Sequence, residues 1–186
     1  MNNTFYLLRH AEPQINRNSL VHEWDLSARG KRQAEEISLS GVFDDIDSVI
    51  SSYEKKACQT AKSIADMLGK DIVRKRGLNE LDRSRGGFLE SEVYNEAIRF
   101  AFTNLDDSLH GWETALHALC RFTGVIEEID SEEENRRILI VSHGCVLSLY
   151  FADLLNSLDD VYERWRRIQF CGWGIVESGQ VLKDII

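Results

Sequence analysis

Two apolar runs that each end on a histidine constrain this chain more than any other feature. Phe5-Tyr6-Leu7-Leu8 runs straight into Arg9-His10, and Ile138-Leu139-Ile140-Val141 into Ser142-His143-Gly144. Short, unbroken apolar runs of this kind are expected of strands buried on both faces. A polar side chain just past such a strand has to lie at the rim of the sheet. The two histidines are 133 positions apart (143 minus 10), so a shared rim would have to be built by the fold.

Between these runs, strand and helix patterns alternate. Residues 4–8 read as a strand, followed by a polar loop through Glu23. Ser27 is placed to cap a helix over 28–38, with Ala34 and Ile37 three apart and Gly30 weakening its start. Residues 48–51 form a second strand. Ser51-Ser52-Tyr53-Glu54 has the capping-box spacing and predicts a helix start there. Ala57, Ala61, Ile64, Ala65 and Leu68 follow at helical intervals up to a stop at Gly69. Residues 72–74 are a third strand, 78–87 a loop and 91–102 a helix. A helix over 114–129 carries the stripe Leu116, Leu119, Thr123 and Ile126. A strand at 137–141 and a helix at 144–155 follow, then a hairpin of 169–176 and 181–186 about Glu177-Ser178-Gly179-Gln180. The alternation predicts an α/β three-layer sandwich, a mostly parallel central sheet flanked by helices. In such sheets ligands gather at the carboxyl ends of the strands, where His10, Ser51-Ser52 and His143 all fall.

At 186 residues the chain is expected to be one domain, 1–186, with one proline and 12 glycines leaving little material for a linker. A net charge of −9 argues against nucleic acid and against an anionic membrane surface. No run is long enough to span a bilayer and the N-terminus has no signal-peptide pattern. Cys58, Cys120, Cys145 and Cys171 stand apart without a C-x-x-C pair, the usage of a cytoplasmic protein. The run 132–134 reads as a solvated acidic loop, and Arg164-Trp165-Arg166-Arg167 as a solvated helix end with one buried ring.

Two imidazoles, an arginine and a glycine that opens a helix make a cationic pocket at that rim. The helix N-terminus after Gly144 adds free N–H groups and a positive dipole end, which suit a phosphoryl group. An unprotonated histidine can attack such a group, an arginine fork can spread its charge, and a buried carboxyl can protonate the leaving oxygen. Glu80, in the loop after the third strand, is placed for that last task, with Asp82 as its rival.

These residues resemble the histidine phosphatase superfamily, the phosphoglycerate-mutase-like group, in its small intracellular branch. The opening motif stands as Leu8-Arg9-His10-Ala11-Glu12, with Asn16 six residues past the histidine. The helix-start motif stands as Leu26-Ser27-Ala28-Arg29-Gly30-Lys31-Arg32-Gln33-Ala34. Ser51-Ser52-Tyr53-Glu54-Lys55-Lys56-Ala57-Cys58-Gln59-Thr60-Ala61, Leu78-Asn79-Glu80 and Ser142-His143-Gly144 complete five motifs in order over about the first four-fifths of the chain. The resemblance implies His10 as the nucleophile and Arg9 and His143 as phosphate-pocket cations. It implies Glu80 as proton donor and later activator of water, Asn16 as a phosphate contact, and no metal or other cofactor. Lys56 stands where the family has a second pocket arginine; it keeps the charge and loses the fork, which Arg83 or Arg85 could restore. Glu90 matches the post-Glu80 segment only structurally.

A short cap insertion, about 88–112, implies an open pocket and hence a phosphatase rather than a mutase. The expected substrate is a phosphorylated small molecule or a phosphoprotein. A member that binds phosphorylated ligands or a partner without turnover is the alternative, and a phosphoglycerate-type mutase the third reading. A homodimer is compatible with the family. His22, His110 and His117 read as bystanders, Cys145 as a packed thiol, and Trp24, Trp112 and Trp173 as core or rim aromatics.

Overall fold

The computed structural model describes residues 3–185. Six strands form one sheet: β1 (Thr4–Arg9), β2 (Ser48–Ser51), β3 (Ile72–Arg74), β4 (Arg137–Ser142), β5 (Trp173–Glu177) and β6 (Gln180–Lys183), in the order β3-β2-β4-β1-β5-β6. The first four in that order run parallel, β5 pairs antiparallel with β1, and β6 pairs antiparallel with β5. The helices are α1 (Ala28–Ser38), α2 (Lys55–Leu68), α3 (Ser91–Thr103), α4 (Ala115–Glu132), α5 (Gly144–Leu154) and α6 (Val161–Arg167). This is the expected α/β sandwich, with a mixed edge formed by the terminal hairpin.

Alternation within the central strands explains why they read as continuous apolar runs. Phe5, Leu7, Ile138 and Ile140 face a large core shared with α3, α4 and α5. Leu8, Leu139 and Val141 face a second core, closed by Ala57, Ala61 and Ile64 of α2. Both faces are covered, so neither face of β4 needs a polar residue. Ser178 and Gly179 turn the hairpin with positive φ of 50° and 74°, the two-residue geometry that suits strand twist. Ile186, the end of the expected second hairpin strand, lies outside the described residues.

Several expectations are corrected. The capping box does not form: α2 begins at Lys55 with Glu54 at its N-cap position and no side-chain cap. The stripe on α4 is rotated, because its buried face is Ala115, Ala118, Leu119, Phe122, Ile126 and Ile129, while Leu116 is exposed. In the cluster 164–167 of α6 the buried side chain is Arg164, held by Asp184, rather than the tryptophan ring. The stop of α2 is as expected, with Gly69 left-handed at φ 64°. Residues 88–112 are built on α3, whose Ala97, Ile98, Ala101 and Phe102 join the main core together with Trp112.

Gly30, read from sequence as a weakness in α1, has a positional reason. A Cβ there would lie 2.0 Å from the Glu12 carbonyl oxygen, so the loop after β1 can rest on the helix only where that side chain is missing. Ser27 Oγ accepts from the Gly30 N–H at 2.9 Å, and Gln33 Oε1 accepts from the Glu12 N–H at 3.0 Å. Gly30→Ala is therefore expected to destabilise the fold by about 1–3 kcal/mol, the usual cost of overpacking, despite alanine's better helix propensity. Urea unfolding of the two proteins measures it; an equal or higher midpoint for the variant would contradict the close approach.

Candidate active site

The register of β1 on β4 pairs Arg9 with Ser142, and the ladder continues one step further: the His10 N–H donates to the Ser142 carbonyl at 2.9 Å. His10 and His143 therefore leave the sheet side by side, with ring centroids 5.0 Å apart. Ser52 arrives from the end of β2, where its own N–H reaches the Val141 carbonyl. Its Oγ shares a 2.7 Å hydrogen bond with His143 Nε2. The three strand ends meet at one rim.

Each ring is oriented. His10 Nδ1 lies 2.7 Å from the Ala11 carbonyl oxygen, which can only accept. The proton is thus on Nδ1, and Nε2 carries the free lone pair. The Ala11 N–H donates to Thr60 Oγ1 at 3.0 Å, and that hydroxyl donates to the Lys56 carbonyl at 2.8 Å, so α2 holds the turn on which His10 sits. Burial holds both imidazoles well below their usual pKa, reinforced by His143, Lys56 and Arg9 around His10 and by Lys56, Arg121 and Arg9 around His143. Both are neutral near pH 7.

Arg9 packs its guanidinium over Phe170 at 4.3 Å and donates to the Ile168 carbonyl. Gly144 makes room for it, since a Cβ there would sit 3.2 Å from that guanidinium; this is a different service from the close backbone approach expected of the glycine. Arg9 Nε and His143 Nδ1 are buried without a hydrogen-bond partner. The Cys145 thiol is pushed well above its usual pKa by burial and by Glu80, which leaves it protonated and unsuited to attack.

Glu80 reaches the same place from its loop. Its carboxylate accepts from the N–H groups of Cys145 (3.0 Å), Val146 (3.1 Å) and Leu81 (3.0 Å). Two of the N–H groups that the sequence reading offered to a phosphate are thus engaged by a carboxylate. The loop itself is fastened by residues the sequence reading passed over. Arg121 of α4 donates to the carbonyls of Gly77, Asn79 and Glu80 at 2.7–2.8 Å and to both oxygens of Glu113 at 2.8 Å. Glu113 in turn accepts from the Asp82 N–H at 3.0 Å. Asp82, the rival acid, is exposed.

Lys56 is buried, at 3% exposure, and is held in an ion pair with Glu54, with a further bond from Nζ to the Val21 carbonyl at 3.1 Å. Glu54 is the site residue that sequence reasoning misplaced as a helix cap. Its Oε1 accepts from the Glu80 N–H at 2.7 Å and lies 3.7 Å from His143 Nε2. Burial works to raise the Glu54 carboxyl, but the charge and hydrogen bond of Lys56 and the Glu80 N–H outweigh it and hold the group lowered. Asn16 is exposed, and its Oδ1 accepts from the Asn18 N–H at 3.0 Å in a local turn.

A cavity of about 810 Å³ opens beside these groups, with Glu54, Glu80 and Arg83 on its wall and Arg17, Arg76 and Phe88 around it. Arg17 and Asn18 line it in place of Asn16, and His22, expected to be a bystander, lines it too. Arg17 ties the loop after β1 to residues 88–90 through an ion pair with Glu90 at 2.8 Å and a stack on Phe88 at 4.9 Å. Arg9 borders a separate cavity of about 240 Å³. His10, 5% exposed, lines neither.

The chain is similar to known proteins in sequence and in fold. The family model described as "Histidine phosphatase superfamily (branch 1)" matches residues 5–180. Phosphoserine phosphatase 1 of Hydrogenobacter thermophilus is 28% identical over 158 residues, covering 81% of this chain and 75% of that protein. A probable phosphoglycerate mutase GpmB of an Enterobacter species is 29% identical over 177 residues, covering 89% and 80%. Among solved structures, Bacillus stearothermophilus YhfR superposes with a TM-score of 0.79 at 19% identity, covering 98% of this chain and 96% of that one.

The buried pair gives a testable stability effect. Lys56→Met strands the Glu54 carboxylate and is expected to cost about 3–5 kcal/mol, whereas Glu54→Leu/Lys56→Met together should recover most of it. Because the folded-state pKa of Glu54 is depressed, its contribution is present above the usual carboxylate range and is lost as pH falls through the folded value. Unfolding midpoints of wild type and both variants at neutral and acidic pH decide this; a Lys56→Met protein as stable as wild type would show the pair to be unimportant.

Proposed function

The chain belongs to the histidine phosphatase superfamily, and from that premise we propose that it is a phosphoric monoester hydrolase working through a phosphohistidine on His10. The observation that carries the reading is the tautomer of His10. With Nδ1–H donating to the Ala11 carbonyl at 2.7 Å and the ring held neutral by burial, Nε2 is an unprotonated nucleophile beside a second imidazole and a guanidinium.

In the first step the Nε2 lone pair forms a bond to phosphorus while the ester P–O bond breaks. Ser52 Oγ accepts from the Glu54 N–H and so turns its own proton to His143 Nε2, which puts the ring proton on Nδ1. The charge on the transferring group is met by that N–H and by Arg9 Nε, neither of which has a protein partner. The leaving oxygen takes a proton from the protonated form of Glu80, which the Arg121 clamp holds at the rim. In the second step Glu80, now a carboxylate, accepts a proton from water as the water oxygen attacks phosphorus. The N–P bond breaks, and inorganic phosphate and neutral His10 are released. No metal is needed in this scheme, since side chains neutralise the phosphoryl charge. The 810 Å³ cavity has the size of a small-metabolite site, which favours a phosphorylated small molecule as substrate.

The test is phosphate release from p-nitrophenyl phosphate in EDTA. Wild type is expected to turn over and His10→Ala to lose at least about 10³-fold in kcat/KM, the scale of removing a nucleophile; undiminished activity in the variant would place the nucleophile elsewhere. Interconversion of phosphoglycerates dependent on a bisphosphate, with little net release, would identify a mutase instead. Since kcat/KM follows the free enzyme and the His10 pKa lies well below 6.5, the acidic limb of its pH profile should fall well below pH 6.5. A limb at or above that value would mean that His10 is protonated in the resting site.

A further inference from the structure

Family resemblance puts the second phosphate-binding cation at Lys56, but the structure engages that ammonium otherwise. Lys56 Nζ bonds to the Glu54 carboxylate and the Val21 carbonyl, and the pair is almost completely buried. We propose that Arg83, rather than Lys56, supplies the second cationic fork that grips the phosphoryl oxygens. The inference rests on the phosphatase reading and deepens it by assigning a binding residue specific to this chain.

Four observations converge on Arg83. It lies on the wall of the main cavity together with Glu54 and Glu80, three positions after the proposed proton donor. Its guanidinium stacks 4.5 Å over the Tyr94 ring. That ring is wedged between Trp112 and Trp165, with centroids 6.0 Å from each, so the platform is rigid. A cation held over an aromatic ring is fixed in place without spending its charge on a carboxylate. Arg83 Nε is buried with no hydrogen-bond partner, and among the described residues no carboxylate lies within ion-pair distance of this arginine. A buried charged donor left unmatched is costly unless a ligand meets it. Its charge is also felt at His143, where it disfavours the protonated ring.

The other candidate on this loop does not share these features. Arg85 is exposed, and its side chain lies beside Gly111 rather than on the cavity wall. Lys56 acts at a distance: it lowers the pKa of both histidines, while Glu54 offsets its charge toward an incoming dianion. Proton donor and phosphate fork then reside on one loop, and the Arg121–Glu113 clamp fixes both.

Calorimetric titration with inorganic phosphate tests the assignment independently of turnover. Arg83→Ala is expected to weaken phosphate binding by about tenfold or more, the scale of a charge-assisted hydrogen bond, and to raise KM for p-nitrophenyl phosphate. Arg83→Lys should fall between the two, because it keeps the charge and loses the fork; it also serves if the alanine variant does not fold. Arg85→Ala should bind as wild type does. Glu54→Leu/Lys56→Met, which leaves no stranded charge, should lose less affinity than Arg83→Ala. Phosphate binding unchanged in Arg83→Ala, or lost more severely in the double variant, overturns the assignment while leaving a hydrolytic wild type intact. A wild type that neither binds phosphate nor hydrolyses the ester removes the phosphatase reading and this inference together.

Discussion

One parallel pairing, β1 on β4, carries the arrangement of the site. Its register sets Arg9 opposite Ser142 and extends through the His10 N–H to the Ser142 carbonyl. Two histidines remote in sequence thereby become neighbours at 5.0 Å. A slip of one residue would turn Phe5 and Leu7 toward the core that now receives Tyr6 and Leu8. Because both faces are packed, that slip is forbidden by burial on both sides at once. The placement of the two histidines is thus protected by apolar side chains in both cores.

Around that pairing, the site is assembled from charges that have been taken out of water. Arg9, Lys56 and Glu54 all lie within reach of two neutral imidazoles. Burial and the neighbouring cations act in the same direction on each ring, which keeps a lone pair available rather than a proton. Glu54 and Lys56 neutralise each other locally, so in the proposed site the positive field that would meet a dianion is left to Arg9 and Arg83. Desolvation therefore does two jobs: it sharpens these interactions and decides which cations remain free.

Much of the architecture was readable from the sequence because it rests on local pattern. The double-faced burial of 138–141, the stop at Gly69 and the turn at Ser178-Gly179 each follow from short-range chemistry. The placement of Arg9, His10, Glu80 and His143 at one rim was readable through strand ends and motif order. Glu54 was not, since a capping acid and a buried ion-pair partner have the same one-dimensional spacing; only the depth of the site separates them. Arg121 lies on α4 and Glu113 just before its N-cap, and the carbonyls that Arg121 holds at 77–80 come from another part of the chain, so no local spacing marks the clamp. Asn16 uses its Oδ1 in a local turn, and that turn leaves its amide donor uncommitted.

The protonated thiol beside the site has a consequence for chemical durability. Phosphatases that attack through sulfur depend on a thiolate, and the thiolate is what peroxide oxidises. In the proposed reaction the attacking atom is a ring nitrogen, and Cys145, 1% exposed with its pKa raised well above the usual thiol value, offers oxidants neither charge nor access. With His10 in its proposed role, phosphoester cleavage needs no thiolate, and the peroxide that silences thiolate chemistry has no attacking atom to oxidise.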